Sequence, residues 1–238
     1  TADSAGPLLQ TLKDAISEYA ALLDGTQYTV SAAATQNGVA VAEPVITLTD
    51  AYGNVTTGTG SAKVIAGDYK LSVSDGGHNR TDGTLTVSAD AQVSVTLPYG
   101  EWFGNIRLLD AEKEPYRFKQ NQADHTAQYW IEDTGNALSS VYLNAAMGNV
   151  PDTKTTKLRT IYTGANGKDM SNLARSWNST ATSLTYLLAA GMEGKTFALE
   201  AQYAGTDGYT QIQSYDVTVT RVPTLKSLAA TAEGTKLP

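Results

Sequence analysis

Residues 43–55 read Glu-Pro-Val-Ile-Thr-Leu-Thr-Asp-Ala-Tyr-Gly-Asn-Val, and residues 65–73 read Ile-Ala-Gly-Asp-Tyr-Lys-Leu-Ser-Val. Apolar and polar residues alternate in both. Strand side chains point to opposite faces in turn, so each stretch puts one row inward and one outward. Asp50-Ala-Tyr-Gly-Asn54 and Ala66-Gly67-Asp68 interrupt the alternation with turn residues. The same period recurs in Tyr28-Thr-Val-Ser-Ala, Thr84-Leu-Thr-Val-Ser and Val93-Ser-Val-Thr-Leu, with turns at Asn37-Gly38 and Asp75-Gly76-Gly77. Short strands punctuated in this way predict an antiparallel sandwich of about seven strands from Tyr28 to Leu97.

Before it lies the one strong helical period. Leu8, Leu9, Leu12, Ile16, Tyr19, Leu22 and Leu23 recur at helical spacing, Pro7 suits a first turn, and Gly25 follows the last apolar residue. The stripe reads first as a face docked on the following domain, since amphipathic surface helices ordinarily cover their own core. An oligomerisation stripe is the other reading.

Pro98-Tyr99-Gly100 marks a boundary, and the aromatic strand Glu101-Trp-Phe-Gly-Asn-Ile-Arg-Leu-Leu109 beyond it fits either side. Strand-like runs follow at Ala127–Glu132, Ser140–Asn144, Lys157–Tyr162, Thr196–Tyr203 and Tyr215–Thr220, with turns at Gly164–Gly167, Gly191–Gly194 and Gly205–Gly208. The expected organisation is a helix over 1–25, a sandwich over 26–99, a second sandwich over 100–222, and a linker or the start of a further module over 223–238. The chain opens Thr1-Ala2-Asp3-Ser4 without Met and closes at Leu237-Pro238 after what reads as the beginning of another strand. From this we expect a mature or excised piece of a longer protein.

Residues 28–98, through 43–55, 65–73 and Thr84-Leu-Thr-Val-Ser-Ala-Asp90, resemble prealbumin-like sandwiches, the group of carboxypeptidase-regulatory-like, PEGA-like and CnaB-like modules of bacterial surface proteins. Some CnaB-like modules carry a Lys–Asn or Lys–Asp isopeptide cross-link, which needs a Lys in the opening strand. The span from Gly25 to Ala62 contains no Lys, so no such bond is expected. Residues 184–203 together with Gly208–Arg221 are similar to the bacterial cadherin-like repeat, whose closing strand reads Tyr-x-Val-x-Val-x-Arg; Leu225-Lys-Ser-Leu228 stands where the next repeat begins. Residues 101–180 depart from that repeat and exceed it in length. The resemblance implies a mainly β chain: two antiparallel Ig-like or prealbumin-like β-sandwiches behind one N-terminal α-helix.

The 238 residues carry a formal net charge of −7, 41% hydrophobic and 17% charged residues, and no cysteine. These are globular values. Without Cys there are no disulfides, Cys-ligated zinc sites or thiol nucleophiles. No Lys/Arg cluster is present, so neither nucleic acid nor an anionic membrane is an expected partner. No run is long and apolar enough to span a bilayer.

Chemistry is scarce. His78 and His125 are the only histidines, both in turn-like contexts that read as solvated loops, and no Gly-x-Ser-x-Gly elbow presents a nucleophile. Phosphate cradles are missing. Calcium would use oxygen ligands from loops, at Asp50 with Asn54, Asp75 with Asp82, or Asp133 with Asn136, but such residues serve turns directly and turn chemistry is the preferred reading. Asn54-Val-Thr56, Asn79-Arg-Thr81 and Asn178-Ser-Thr180 match the glycosylation pattern and mark loops. We expect no catalytic residue, no cofactor and no metal.

The remaining signal is aromatic: 13 Tyr, 3 Trp and 3 Phe. Trp177, Trp130, Tyr129 and Trp102 are the candidates for stacking on a ligand, with filling of the sandwich core as the alternative use. The reading is a non-catalytic module of a bacterial surface or secreted protein, extracellular or cell-wall-associated, acting in adhesion, spacing or protein interaction. Its alternative is a carbohydrate-binding accessory region of a larger glycan-active enzyme, so a glycan or another surface protein is the expected partner.

Overall fold

The computed structural model describes residues 5–110, 114, 116–133, 142–152, 156–161, 175–176, 183–187 and 196–223. The described residues form one helix followed by strands, as the sequence predicts, and divide into two units. The first comprises Thr1–Pro98 and Gly205–Gln211, and the second Tyr99–Ala204 and Ile212–Pro238. The strand Phe103–Leu109, which the sequence left between domains, falls in the second unit. The segment Gly205–Gln211, expected in the second sandwich, groups with the first.

The first unit opens with α1 (Ala5–Asp24). Its strands are β1 (Tyr28–Gln36), the short β2 (Val39–Ala40), β3 (Val45–Thr49), β4 (Val55–Thr59), β5 (Ser61–Val64), β6 (Gly67–Ser74), β7 (Asn79–Val87) and β8 (Ala91–Thr96). One sheet places β1 between β8 and the pair β2 and β5. The other runs β4–β3–β6–β7, antiparallel throughout. Inward residues meet in one core of Val30, Ile46, Leu48, Leu71, Val73, Val93 and Leu97 with their neighbours. Full burial of such a side chain contributes about 1.5–3 kcal/mol. Outward threonines pair across the strands, as Thr47 and Thr57 do at 3.2 Å between hydroxyls.

Two local facts depart from the expectations. First, β1 and β8 run parallel, with Val30 opposite Ala91 and Thr35 opposite Thr96. Alternation reports which face a residue occupies and says nothing of strand direction; a strand that crosses over from the other sheet can return parallel. Second, the described residues of the α1 stripe do not lie on a core. Leu8, Leu9, Leu12, Ile16 and Tyr19 are 54–70% exposed, which overturns the docked-face reading.

The second unit contains β9 (Phe103–Leu109), β10 (Arg117–Asn121), β11 (Thr126–Asp133), β12 (Tyr142–Met147), β13 (Lys157–Ile161), the short β14 (Arg175–Ser176), β15 (Ser183–Leu187), β16 (Thr196–Ala204) and β17 (Thr210–Pro223). One sheet is β9–β12–β15, antiparallel, with a bulge between Ala145 and Met147. In the other, β14–β13–β16–β17 continues through β11 to β10. Here too one pair is parallel: β11 beside β17, Thr126 opposite Asp216 through Asp133 opposite Pro223. The core holds Trp102, Phe103, Ile106, Leu108, Tyr129, Ile131, Leu199, Tyr215, Val217 and Val219.

Side chains also supply backbone partners. Gln120 of β10 accepts from Ile106 N at 3.0 Å and donates to Gly104 O at 2.7 Å, so one amide side chain serves two backbone groups of β9. Tyr129 Oη donates to Ile106 O. Buried Gln213 accepts from Trp102 N at 2.7 Å and donates to Gly100 O at 2.9 Å, which holds the entry segment. Trp102 O in turn accepts from Gly148 N at 2.7 Å. A Cβ on Gly148 would stand 2.9 Å from Glu101 O, so only glycine permits that approach.

Candidate functional site

Of the four stacking candidates, two are core residues. Trp102 is 1% exposed and Tyr129 0%. Neither presents a ring to a ligand, and this corrects the stacking expectation for both. The cause is position: alternation sends Tyr129 inward and its neighbour Trp130 outward. Burial pushes the Tyr129 phenol well above its ordinary range, with Tyr215 adding to the effect and Arg107 opposing it. Tyr129 therefore acts as a neutral donor to Ile106 O.

Trp130 is half-buried on the outer side of β11. It lies opposite Arg117 of β10, whose guanidinium carbon stands 5.1 Å from the indole centroid. The cation covers a ring face that a sugar would need and contributes about 0.5–1 kcal/mol as a cation–π contact. Trp177 lies outside the described residues.

The histidines differ from their expected role as solvated loops. His125, at φ +48°, lies flat on Tyr215 with centroids 4.8 Å apart and planes at 8°. Its Nδ1 meets the Ser214 carbonyl oxygen at 3.0 Å and its Nε2 stands 3.4 Å from Glu101 Oε2. A carbonyl accepts only from a protonated nitrogen, so the hydrogen resides on Nδ1, and a proton taken up on Nε2 faces the carboxylate. Burial raises the Tyr215 phenol, which Gln120 opposes and Glu101 reinforces. The Ser214 atom involved in this contact is its backbone oxygen rather than its hydroxyl. His78 is half-buried in the turn between β6 and β7.

The acidic loops are occupied by their own turns. Asp50 accepts from Tyr52 N at 2.9 Å, Asn54 N at 2.8 Å and Asn54 Nδ2 at 2.7 Å. These bonds, the Asn54 side chain foremost, hold its carboxyl below the ordinary carboxylate value. Asp75 accepts from Gly77 N at 2.8 Å and Asn79 Nδ2 at 2.9 Å. Asp82 pairs with Arg80 at 3.3 Å. The Asp133 side chain and Asn136 lie outside the described residues. Among the described residues no group of three or more His, Asp or Glu gathers as metal ligands would.

One concavity the sequence did not announce lies beside the Asp50 turn. It has a volume of about 290 Å³ and is walled by Tyr52, Asn54, Gly67, Asp68 and Tyr69. Tyr52 is 81% exposed at the tip of that turn. Tyr69 donates to Ile65 O at 3.0 Å, and burial raises its phenol with Asp50's charge adding to the effect. The only signal for this feature was an aromatic residue inside the Asp-Ala-Tyr-Gly-Asn turn.

These observations define a mainly β chain, two sheets to a unit, with a single helix among the described residues, at its head. No family model matches the chain, and no curated protein is significantly similar to it. Among solved structures it is similar to a DUF3823 family protein from Bacteroides ovatus, at 15% identity and a TM-score of 0.27, over 81% of this chain and 99% of that one.

Proposed function

We propose that this chain is a non-catalytic extracellular module of a bacterial surface or secreted protein, in which two sandwiches act as spacer and interaction domains. The observation that carries the reading is how the reactive side chains are used. His125, Glu101, Tyr129 and Tyr215 serve packing and backbone pairing, and Asp50 and Asp75 close turns. A prealbumin-like first domain is supported by the parallel pairing of its first and last strands around an otherwise antiparallel set. The β9–β12–β15 sheet facing a β13–β16–β17 sheet, with β11 parallel to the closing strand, supports an Ig-like second domain.

Protease treatment of intact source cells, followed by immunoblotting for this chain, tests the location. Selective loss from intact cells supports the reading, and full protection until lysis overturns it. A glycan array of the wild type with Trp177→Ala and Tyr52→Ala separates the accessory carbohydrate-binding alternative. Binding abolished by either substitution favours that alternative. Failure of the wild type to bind any glycan leaves the spacer and interaction reading as the one supported.

A further inference from the structure

The helix α1 carries an apolar stripe that stands exposed among the described residues. Leu8, Leu9, Leu12, Ile16 and Tyr19 are all more than half exposed, although an isolated helix of this length is marginal in water and owes most of its stability to packing of its apolar face. The spacing says what shape of surface would cover it. Leu9, Leu12, Ile16, Tyr19 and Leu23 are separated by three, four, three and four residues. That is the a/d alternation of a helix seated against another helix. In this register all four charged residues of α1, Lys13, Asp14, Glu18 and Asp24, fall at positions outside the a/d seam, and Gln10 Nε2 bonds Asp14 Oδ1 at 2.8 Å on that polar side.

We propose that α1 is an oligomerisation helix whose partner is the α1 of a second copy of this chain. Three considerations select that occupant. The register demands a helical partner with apolar residues at the same period, and α1 meets its own requirement. The polar side holds three acids and one Lys, the opposite of the cationic face that seats a helix on an anionic membrane. The area reaches the threshold as well: at roughly 100 Å² of apolar surface per side chain, the four exposed seam residues Leu9, Leu12, Ile16 and Tyr19 with the flanking Leu8 bring together about 1,000 Å² from two copies, the lower bound for a specific interface.

Sedimentation equilibrium of the full chain from about 10 µM to about 1 mM reads the proposal directly, since interfaces at the low end of the size scale are typically weak and transient. The expected result is a concentration-dependent rise from monomer to dimer mass. The rise is abolished in a Leu12→Glu/Ile16→Glu variant and kept in Asp14→Ala on the polar side, with the thermal unfolding of the sandwiches unchanged. Hydrogen exchange of the wild type needs no variant: amides of 8–20 gain protection with concentration while those of β6 do not. A wild type that stays monomeric throughout overturns the proposal. So does association that survives the double substitution, or a monomer that instead co-sediments with phosphatidylcholine vesicles.

Discussion

Gln120→Leu is the most informative substitution in the second unit. The wild-type amide accepts from Ile106 N and donates to Gly104 O. Leucine matches it in size and provides neither function. Each backbone group left unpaired away from water costs about 1–3 kcal/mol. Because Gln120 is half-buried, water reaches the site in part, and the two groups together cost about 2–4 kcal/mol. A partly buried leucine returns up to about 1 kcal/mol of apolar transfer. The net expectation is a loss of about 1–4 kcal/mol with an unchanged dependence on denaturant, since the surface exposed on unfolding is the same. Urea unfolding followed by tryptophan fluorescence measures it selectively, because all three Trp lie between residues 99 and 204. Gln120→Glu refines the test: it keeps the acceptor for Ile106 N but sets a carboxylate against the Gly104 carbonyl. Its deficit shrinks as pH falls, since protonation restores a donor and the folded state therefore holds that proton more tightly than the unfolded chain. A loss below about 0.5 kcal/mol for the leucine variant refutes the view that this side chain is the backbone partner of β9.

Further outcomes follow from the same structure. Tyr129→Phe removes the donor to the buried Ile106 carbonyl while keeping the ring, and should lower the stability of the second unit by about 1–3 kcal/mol in the same urea assay. Gly58→Ala puts a Cβ 1.9 Å from Ser61 O, backbone that cannot step aside, so the first unit should lose about 3 kcal/mol or more and several degrees of melting temperature by calorimetry. The Asp50 carboxyl is held below its ordinary value of 3.8 in the folded state. Its contribution is therefore present above pH 3.8 and is lost as pH falls through the lower folded value, and Asp50→Asn should flatten the acid limb of a melting-temperature profile between about pH 2 and 5.

Most of the first unit was legible because two-residue periodicity depends only on which side of a sheet is wet. Val45–Thr49 and Gly67–Ser74 carry that pattern, and Asp50–Asn54 and Asp75–Asn79 contain the carboxamide and carboxylate groups that close their turns locally. The second unit was less legible. The period of β11 marks Tyr129 and Trp130 as opposite in facing but does not say which side is core. Trp102 precedes the first strand of its sheet, where alternation has no partner strand to read against. The expectation for His125 rested on a turn-like neighbourhood, and its stacking on Tyr215 joins residues 90 positions apart.

The sequence by itself determined the class: one helix, then short alternating strands with no means for thiol or phosphate-loop chemistry. These follow from local periods and from residue types, which need no partner to be read. Tertiary structure alone decided that β1 and β8 run parallel, that Trp102 and Tyr129 are core, that Gln120 serves β9, and that Leu8, Leu9, Leu12, Ile16 and Tyr19 of α1 stay exposed. Each of these depends on which segments meet across long sequence separations. A hydrophobic period specifies that a face must be buried, but not against what.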